Sequence, residues 1–283
     1  MSWQLLVGLS VVLYSVNGLL HRTIMKDDNS DAYAQAVVFT GLVALFFLII
    51  LLFHGGFQLP GSWIQSLFMI FGAVFSSIGM VFTFKGFKSI GASEHTILLT
   101  SCQLWNMLGA ILFLHESFTI TKLVGTFAIL FGIVLPEWKK QTFKLNSGAV
   151  YVLLAAFCFA GSGIISFYIV RSFDVLSYMS YSGIVVTLIL VICRPTVIRK
   201  FSFYLKPKRA VNIVTTSLND AAANILGLIT YQIGRNALQI GPISAMQTIV
   251  IVLLAIIILK ERDHILNKIV GSLAAVAGTI LLL

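Results

Sequence analysis

The sequence predicts an all-α integral membrane protein of ten transmembrane helices, arranged as two inverted five-helix repeats. Three observations predict it. Hydrophobic residues make up 58% of the 283 positions and charged residues only 10%, against about 25% charged in a soluble domain. The apolar runs are long and lack polar alternation. In lipid every backbone polar group must be bonded inside a helix or around a closed barrel, and runs of this kind exclude the barrel. Markers in the first half recur in the second at a nearly constant offset.

A span needs about 20 largely apolar residues, and ten runs qualify. The first, Trp3–Leu20, has no basic segment before it and more spans follow, so it is expected to be a mature helix rather than a cleaved signal. Tyr33–Phe53 and Trp63–Phe84 follow, the latter ending at Lys85 and Lys88, long cations that can reach back to the interface. Ser93–Leu114 opens with Glu94-His95, and Thr121–Leu135 is a short fifth span. Gly148–Val170 and Val175–Cys193 form the sixth and seventh. A basic connector from Arg194 to Arg209 is interfacial and too small for a domain. Ala210–Gly234, Pro242–Leu259 and Asn267–Leu283 complete the set. Trp3, Trp63 and Trp138 lie at span ends, where aromatic belts form. Cys102, Cys158 and Cys193 show no paired spacing and read as apolar packers.

The two halves align. Lys122-Leu-Val-Gly125, Ala128 and Gly132 recur as Lys268-Ile-Val-Gly271, Ala274 and Gly278. Leu114-His-Glu116 recurs as Leu259-Lys-Glu261, and Gly18 as Gly163. The expected division is residues 1–140 and 147–283. Five spans per copy is an odd number, so the second copy enters the membrane from the opposite side. Inverted repeats of this kind characterise secondary transporters, whose site lies near the midplane between the repeats.

These features resemble the drug/metabolite transporter superfamily, specifically its EamA-type exporters. The resemblance is carried by the apolar-Glu end of each fourth helix and the Lys/Asn…Gly…Gly fifth helix. The small-residue break Tyr14-Ser-Val-Asn-Gly18, echoed by Phe159-Ala-Gly-Ser-Gly163, adds to it. It covers nearly the whole chain. Gln103 and Gln247 stand near positions where these repeats often carry a proline in the fourth helix. The resemblance implies a bundle with a central cavity lined by helices one, three and four of each repeat. It also implies export of small metabolites or drugs driven by an ion gradient.

Of the 19 lysines and arginines, all but Lys122, Arg171 and Arg235 fall on connectors that follow odd-numbered spans. The positive-inside rule places those connectors in the cytosol and both termini outside a cell membrane. The net charge of +9 then reflects topology and contact with anionic lipid headgroups. It does not call for a nucleic-acid partner.

Charged groups at membrane depth cost about 2.5–3.5 kcal/mol on insertion scales and usually face a bundle interior or a cavity. Asp220, about ten residues into the eighth span, is the strongest candidate. At about 100° per residue, Ser217, Asp220, Asn224, Gly227 and Tyr231 share a stripe, opposite a face that is apolar except for Asn219. Asp220 is expected to couple transport to a proton or sodium ion, with its structural alternative a buried hydrogen-bonded group. In the fourth span Glu94, Leu98, Ser101 and Trp105 share a face. Glu94 reads either as a first-turn anion on the helix dipole or as a gate or coupling acid, with Trp105 deeper. In the first span Ser10, Tyr14, Asn17 and His21 line up, and Ser162 and Ser166 stand at matching places in the sixth. These are cavity candidates or interhelical hydrogen bonds.

No phosphate-binding loop, metal-ligand spacing or cluster of nucleophiles occurs. The expectation is therefore a non-enzymatic, cofactor-free, ion-coupled exporter of small metabolites, amino acids or drugs. An importer of sugars or nucleosides is the nearest rival; an intramembrane enzyme or a sensory membrane protein is the rival of another class. The expected partners are a small-molecule substrate, a proton or sodium ion and membrane lipid, and the sequence leaves room for a homodimer.

Overall fold

The computed structural model describes residues 3–54, 56–114, 119–139, 142–143, 146–170, 173–234, 244 and 246–282. The first repeat contains α1 (Trp3–Met25), α2 (Ala32–His54), α3 (Trp63–Ser89), α4 (Ala92–Leu99), α5 (Cys102–Leu114) and α6 (Ile120–Glu137). A two-residue antiparallel hairpin, β1 (Trp138–Lys139) and β2 (Thr142–Phe143), follows α6. The second repeat contains α7 (Ser147–Ile169), α8 (Val175–Cys193), a 3₁₀ segment (Pro195–Leu205), α9 (Pro207–Gly234), α10 (Gln247–Ile257) and α11 (Ile265–Leu282). Five helices are long and apolar enough to cross a membrane alone: α1, α2, α3, α7 and α8. The helices α6, α10 and α11 are shorter apolar ones. Large aliphatic and aromatic side chains such as Leu52, Phe53, Leu112, Phe127, Ile192 and Leu266 stand exposed, as lipid-facing residues must.

Several helices run beyond their apolar cores. The first continues to Met25 and the third to Ser89, because polar partners wait at the interface. Arg22 donates to the Phe87 carbonyl, and Lys88 donates to the carbonyls of Asp28 and Ser30. The fourth span is not continuous. Thr100 N bonds Ile97 O and Ser101 N bonds Leu98 O, both at 3.1 Å. These i→i−3 bonds end α4 in a tight turn before α5 begins. The break forms with Gln103 in place of a proline. Cys102 opens α5, and its repeat equivalent Gln247 opens α10. Much of the ninth span before Gln247 lies outside the described residues.

The dominant contacts join helices of different repeats: α1 with α9, α2 with α8, α3 with α7, and α6 with α11. Small residues permit close approach. A Cβ on Gly132 would stand 2.6 Å from the Gly271 carbonyl oxygen, and one on Gly278 would stand 2.6 Å from that of Gly125. The reciprocity of these two contacts is what a two-fold relation between α6 and α11 demands.

Connectors after odd-numbered spans meet one another. Arg209 pairs with Asp27, and Arg194 with Asp31 at 3.3 Å. The 3₁₀ segment between those arginines buries Val197 and Tyr204 against the bundle. Connectors after even-numbered spans meet at the other end, where Ser177 Oγ accepts from Gln58 N and Gln58 Oε1 accepts from Asp174 N, each at 3.1 Å.

Candidate functional site

Where α1 crosses α9, four polar side chains form one chain of hydrogen bonds. Asn17 Nδ2 donates to Asp220 Oδ1 at 3.2 Å. Asn224 Nδ2, one turn along α9, donates to Asp220 Oδ2 at 2.9 Å and to the Asp220 carbonyl at 2.8 Å. Asn219 Nδ2 donates to Asn17 Oδ1 at 2.8 Å and to the Leu13 carbonyl at 2.7 Å. The two amides that reach the carboxylate, those of Asn17 and Asn224, both present a donor to it, the arrangement that suits an ionised, acceptor-only group. Asn17 is buried, while Asp220 and Asn224 retain partial access.

Three of the residues singled out in the sequence, Asn17, Asp220 and Asn224, are thus brought together. Asn219, which the helical stripe put on the apolar face, belongs with them. A stripe of fixed width misses it because α1 packs along a flank of α9 and reaches two adjacent positions. Ser217 shares the stripe but not the network: it is fully buried and its hydroxyl has no partner among the described residues. Tyr14 is half-buried one turn before Asn17. The Tyr231 side chain lies outside the described residues.

The matching place in the α3–α7 crossing is occupied by hydroxyls. Ser162, the repeat equivalent of Asn17, bonds Ser76 Oγ of α3 at 2.6 Å, and beside this crossing Ser166 bonds the Tyr178 hydroxyl of α8 at 2.5 Å. Two polar crossings therefore stand in equivalent positions, and only one carries a charge. Ser101 sits at the break of the fourth span, buried and with no partner for its hydroxyl among the described residues. Trp105, one turn on, is 40% exposed and meets the Phe157 ring edge-on at 5.0 Å. It faces an open surface rather than a closed core.

Glu94 stands apart from the Asp220 network. It is buried at the end of the bundle where the basic connectors gather, in a pocket of about 360 Å³. Its Oε1 accepts from Asn146 Nδ2 at 3.4 Å. Glu261 shares the wall and caps α4 by accepting from Ala92 N at 2.7 Å, Ser93 N at 3.2 Å and Ser93 Oγ at 2.5 Å. A carboxylate is well placed on these amides, which no helical carbonyl can reach. His95 turns away from Glu94 and stacks on Phe87 at 3.7 Å, and His21 meets the same ring. That meeting of two histidines from different helices had no signal in their spacing. Among the described residues no group of three or more His, Cys, Asp or Glu could hold a metal ion.

The sequence profile of the EamA-like transporter family matches residues 1–136 and 146–283. The chain belongs to the EamA-like transporter family. It is a multi-pass membrane transporter of the drug/metabolite type, built on a two-repeat fold, and its family members are transporters rather than enzymes. A solved structure described only as "Crystal structure of protein" superposes with a TM-score of 0.66 at 14% identity, covering 99% of this chain and 96% of the other. At that identity the likeness speaks for the fold alone. No curated protein matches by sequence.

Proposed function

We propose that this EamA-like transporter is an ion-coupled exporter of small metabolites, amino acids or drugs in the cell membrane, with Asp220 as the coupling acid. The observation that carries the reading is the Asn17–Asp220–Asn224 network. It puts a carboxylate of the second repeat under the control of an amide of the first. The amides that face Asp220 are donors, so a proton on either bonded oxygen meets N–H rather than a lone pair. Neutralising Asp220 therefore weakens the Asn17–Asp220 bond, one of those that tie α9 to α1. Hydrogen bonding favours the charged form while burial disfavours it, so two opposed terms act on one group. A change in its charge can shift the balance between cavity orientations. A sodium ion held by the free carboxylate lone pairs would act through the same contacts.

The cavity is assigned to Tyr14, Asn17, Ser101, Trp105, Ser162, Ser217, Asn224 and Tyr231, between residues 1–140 and 147–283. Asp220→Asn preserves shape but removes the titrating charge. In reconstituted vesicles it is expected to abolish accumulation driven by a proton or sodium gradient while leaving substrate exchange. Wild-type accumulation with unchanged pH dependence in Asp220→Asn would remove Asp220 from the coupling step. Net flux directed into cells rather than out would favour the importer.

A further inference from the structure

The connector from Arg194 to Arg209 carries six cations and no acid. Two of them are matched on the neighbouring connector, Arg194 by Asp31 and Arg209 by Asp27. Arg199, Lys200, Lys206 and Lys208 are exposed and have no ion pair among the described residues. Ile192, Ile198 and Leu205 stand exposed beside them, while the same segment buries Val197 and Tyr204. Cations and large apolar side chains exposed together on one segment suit the boundary between lipid headgroups and acyl chains.

Below this segment the outer face of the α2–α8 pair is furrowed. The 3₁₀ segment packs on both helices. Near it the Tyr33 hydroxyl donates to the Leu190 carbonyl at 2.7 Å, and the Arg194 guanidinium lies 5.4 Å from the Tyr33 ring. Small residues bring the two helices close: a Cβ on Gly183 would stand 2.8 Å from the Ala44 Cβ. The result is an apolar furrow of about 220 Å³, floored by Gly41, Ala44 and Thr187 and rimmed by the exposed Leu45, Ile184 and Leu188. At about 1.5 Å per residue, Leu188 lies about 7 Å and Ile184 about 13 Å below the end of α8 at Cys193. Both depths fall within one leaflet, which contributes about 15 Å to a hydrocarbon core of about 30 Å.

We propose that the furrow and the basic segment above it form one site for an anionic phospholipid. An acyl chain lies in the furrow, and the headgroup phosphate sits among Arg199, Lys200, Lys206 and Lys208. Charge selects this occupant. A zwitterionic lipid fills the furrow but leaves the four cations unanswered. A second copy of this chain, joined along the furrow by a two-fold axis, brings two such connectors side by side, and their like charges repel. The site lies outside the polar network of Asp220 and does not depend on its coupling role. It stands at the root of the helix that carries Asp220, because the segment runs directly into α9 at Pro207.

The test separates headgroup from chain. The full-length protein, exchanged into a lipid-free neutral detergent, is titrated with dioleoyl phosphatidylglycerol, with dioleoyl phosphatidylcholine and with glycerophosphoglycerol, the anionic headgroup without chains. Binding is read by native mass spectrometry and by lipid-induced thermal shift. Wild type is expected to retain phosphatidylglycerol about tenfold more tightly than phosphatidylcholine, as a few cations beside an anionic headgroup supply. Added salt is expected to shrink that preference by screening exposed charges. Glycerophosphoglycerol is expected to bind at least about tenfold more weakly than the lipid. The neutral variant Arg199→Gln/Lys200→Gln/Lys206→Gln/Lys208→Gln is expected to hold both lipids alike, with the wild-type affinity for phosphatidylcholine as its evidence of folding. Leu45→Ala/Leu188→Ala, which lowers the rim, is expected to weaken both lipids and keep the preference. A wild type without the preference, or a preference that survives in the neutral variant, overturns the proposal. So does a soluble headgroup that binds as tightly as the lipid, which would make the cations a site for free anions. A lipid-free pair of chains that Leu45→Ala/Leu188→Ala separates would give the furrow to a second copy instead. No gradient enters these measurements, so their failure is distinct from failure of Asp220 in coupled transport.

Discussion

At the scale of single residues, the amide of Asn219 decides what Asn17 can do. By donating to Asn17 Oδ1 and to the Leu13 carbonyl, it fixes the Asn17 amide with its Nδ2 toward Asp220. Interhelical hydrogen bonds in membranes average about 0.6 kcal/mol, so one lost bond corresponds to roughly a threefold change in an equilibrium. Asn17→Ala and Asn219→Ala are each expected to slow gradient-driven transport by about that factor and to shift its pH profile in the same direction. The double variant is expected to be no worse than Asn17→Ala alone, because residues of one network couple. Additive losses in the pH-resolved rates would mean that Asn219 acts independently of Asn17. Asp220 and its turn-spaced neighbour Asn224 were legible because a charge in an apolar run is conspicuous. Asn219 was not, because its meaning depends on which flank of α9 meets α1, and that is a tertiary fact.

At the scale of elements, the glycines of α6 and α11 were legible as a repeat but not as a contact. Gly125, Gly132, Gly271 and Gly278 recur in step in the sequence; only the fold turns the recurrence into mutual approach. At Gly132 and Gly278 the obstacle to a side chain is backbone of the facing helix, which cannot rotate away as a side-chain tip can. Gly132→Ala and Gly278→Ala are each expected to destabilise the protein by about 1–3 kcal/mol, the usual cost of overpacking. Thermal unfolding of the detergent-purified protein reads this. Gly8→Ala in α1, where a Cβ meets nothing within 4 Å, is expected to be neutral or slightly stabilising, as alanine is the better helix former. Equal behaviour of all three would show that the α6–α11 contact is looser than 2.6 Å implies. The break between α4 and α5 was masked in the sequence by the lack of a proline. Thr100 makes it instead, with its Oγ1 bonding the Ile97 carbonyl at 2.6 Å, so that a hydroxyl competes with the regular helical bond.

At the scale of the whole molecule, charge and geometry divide the connectors in the same way. Asp27, Asp31, Arg194 and Arg209 join the connectors after the first and seventh spans. Lys26, Asn146 and Lys268 bring those after the first, fifth and ninth spans around one pocket. Gln58, Asp174 and Ser177 join the second and sixth at the far end. The grouping was legible because inverted repeats with an odd number of spans allow only one partition of connectors into two faces. Nearly all lysines and arginines stand on the first group. Orientation is set during insertion by the lysines and arginines of short loops, so we predict that group in the cytosol and both termini outside. A phosphatase that works only outside the cytosol, fused after Leu283, is expected to be active, and a fluorescent protein that matures only in the cytosol is expected to stay dark at the same site. A fusion after Lys140, on the connector between the repeats, should give the opposite pair of signals. A bright cytosolic fluorophore after Leu283, with a silent phosphatase, would invert the molecule and put the basic connectors outside.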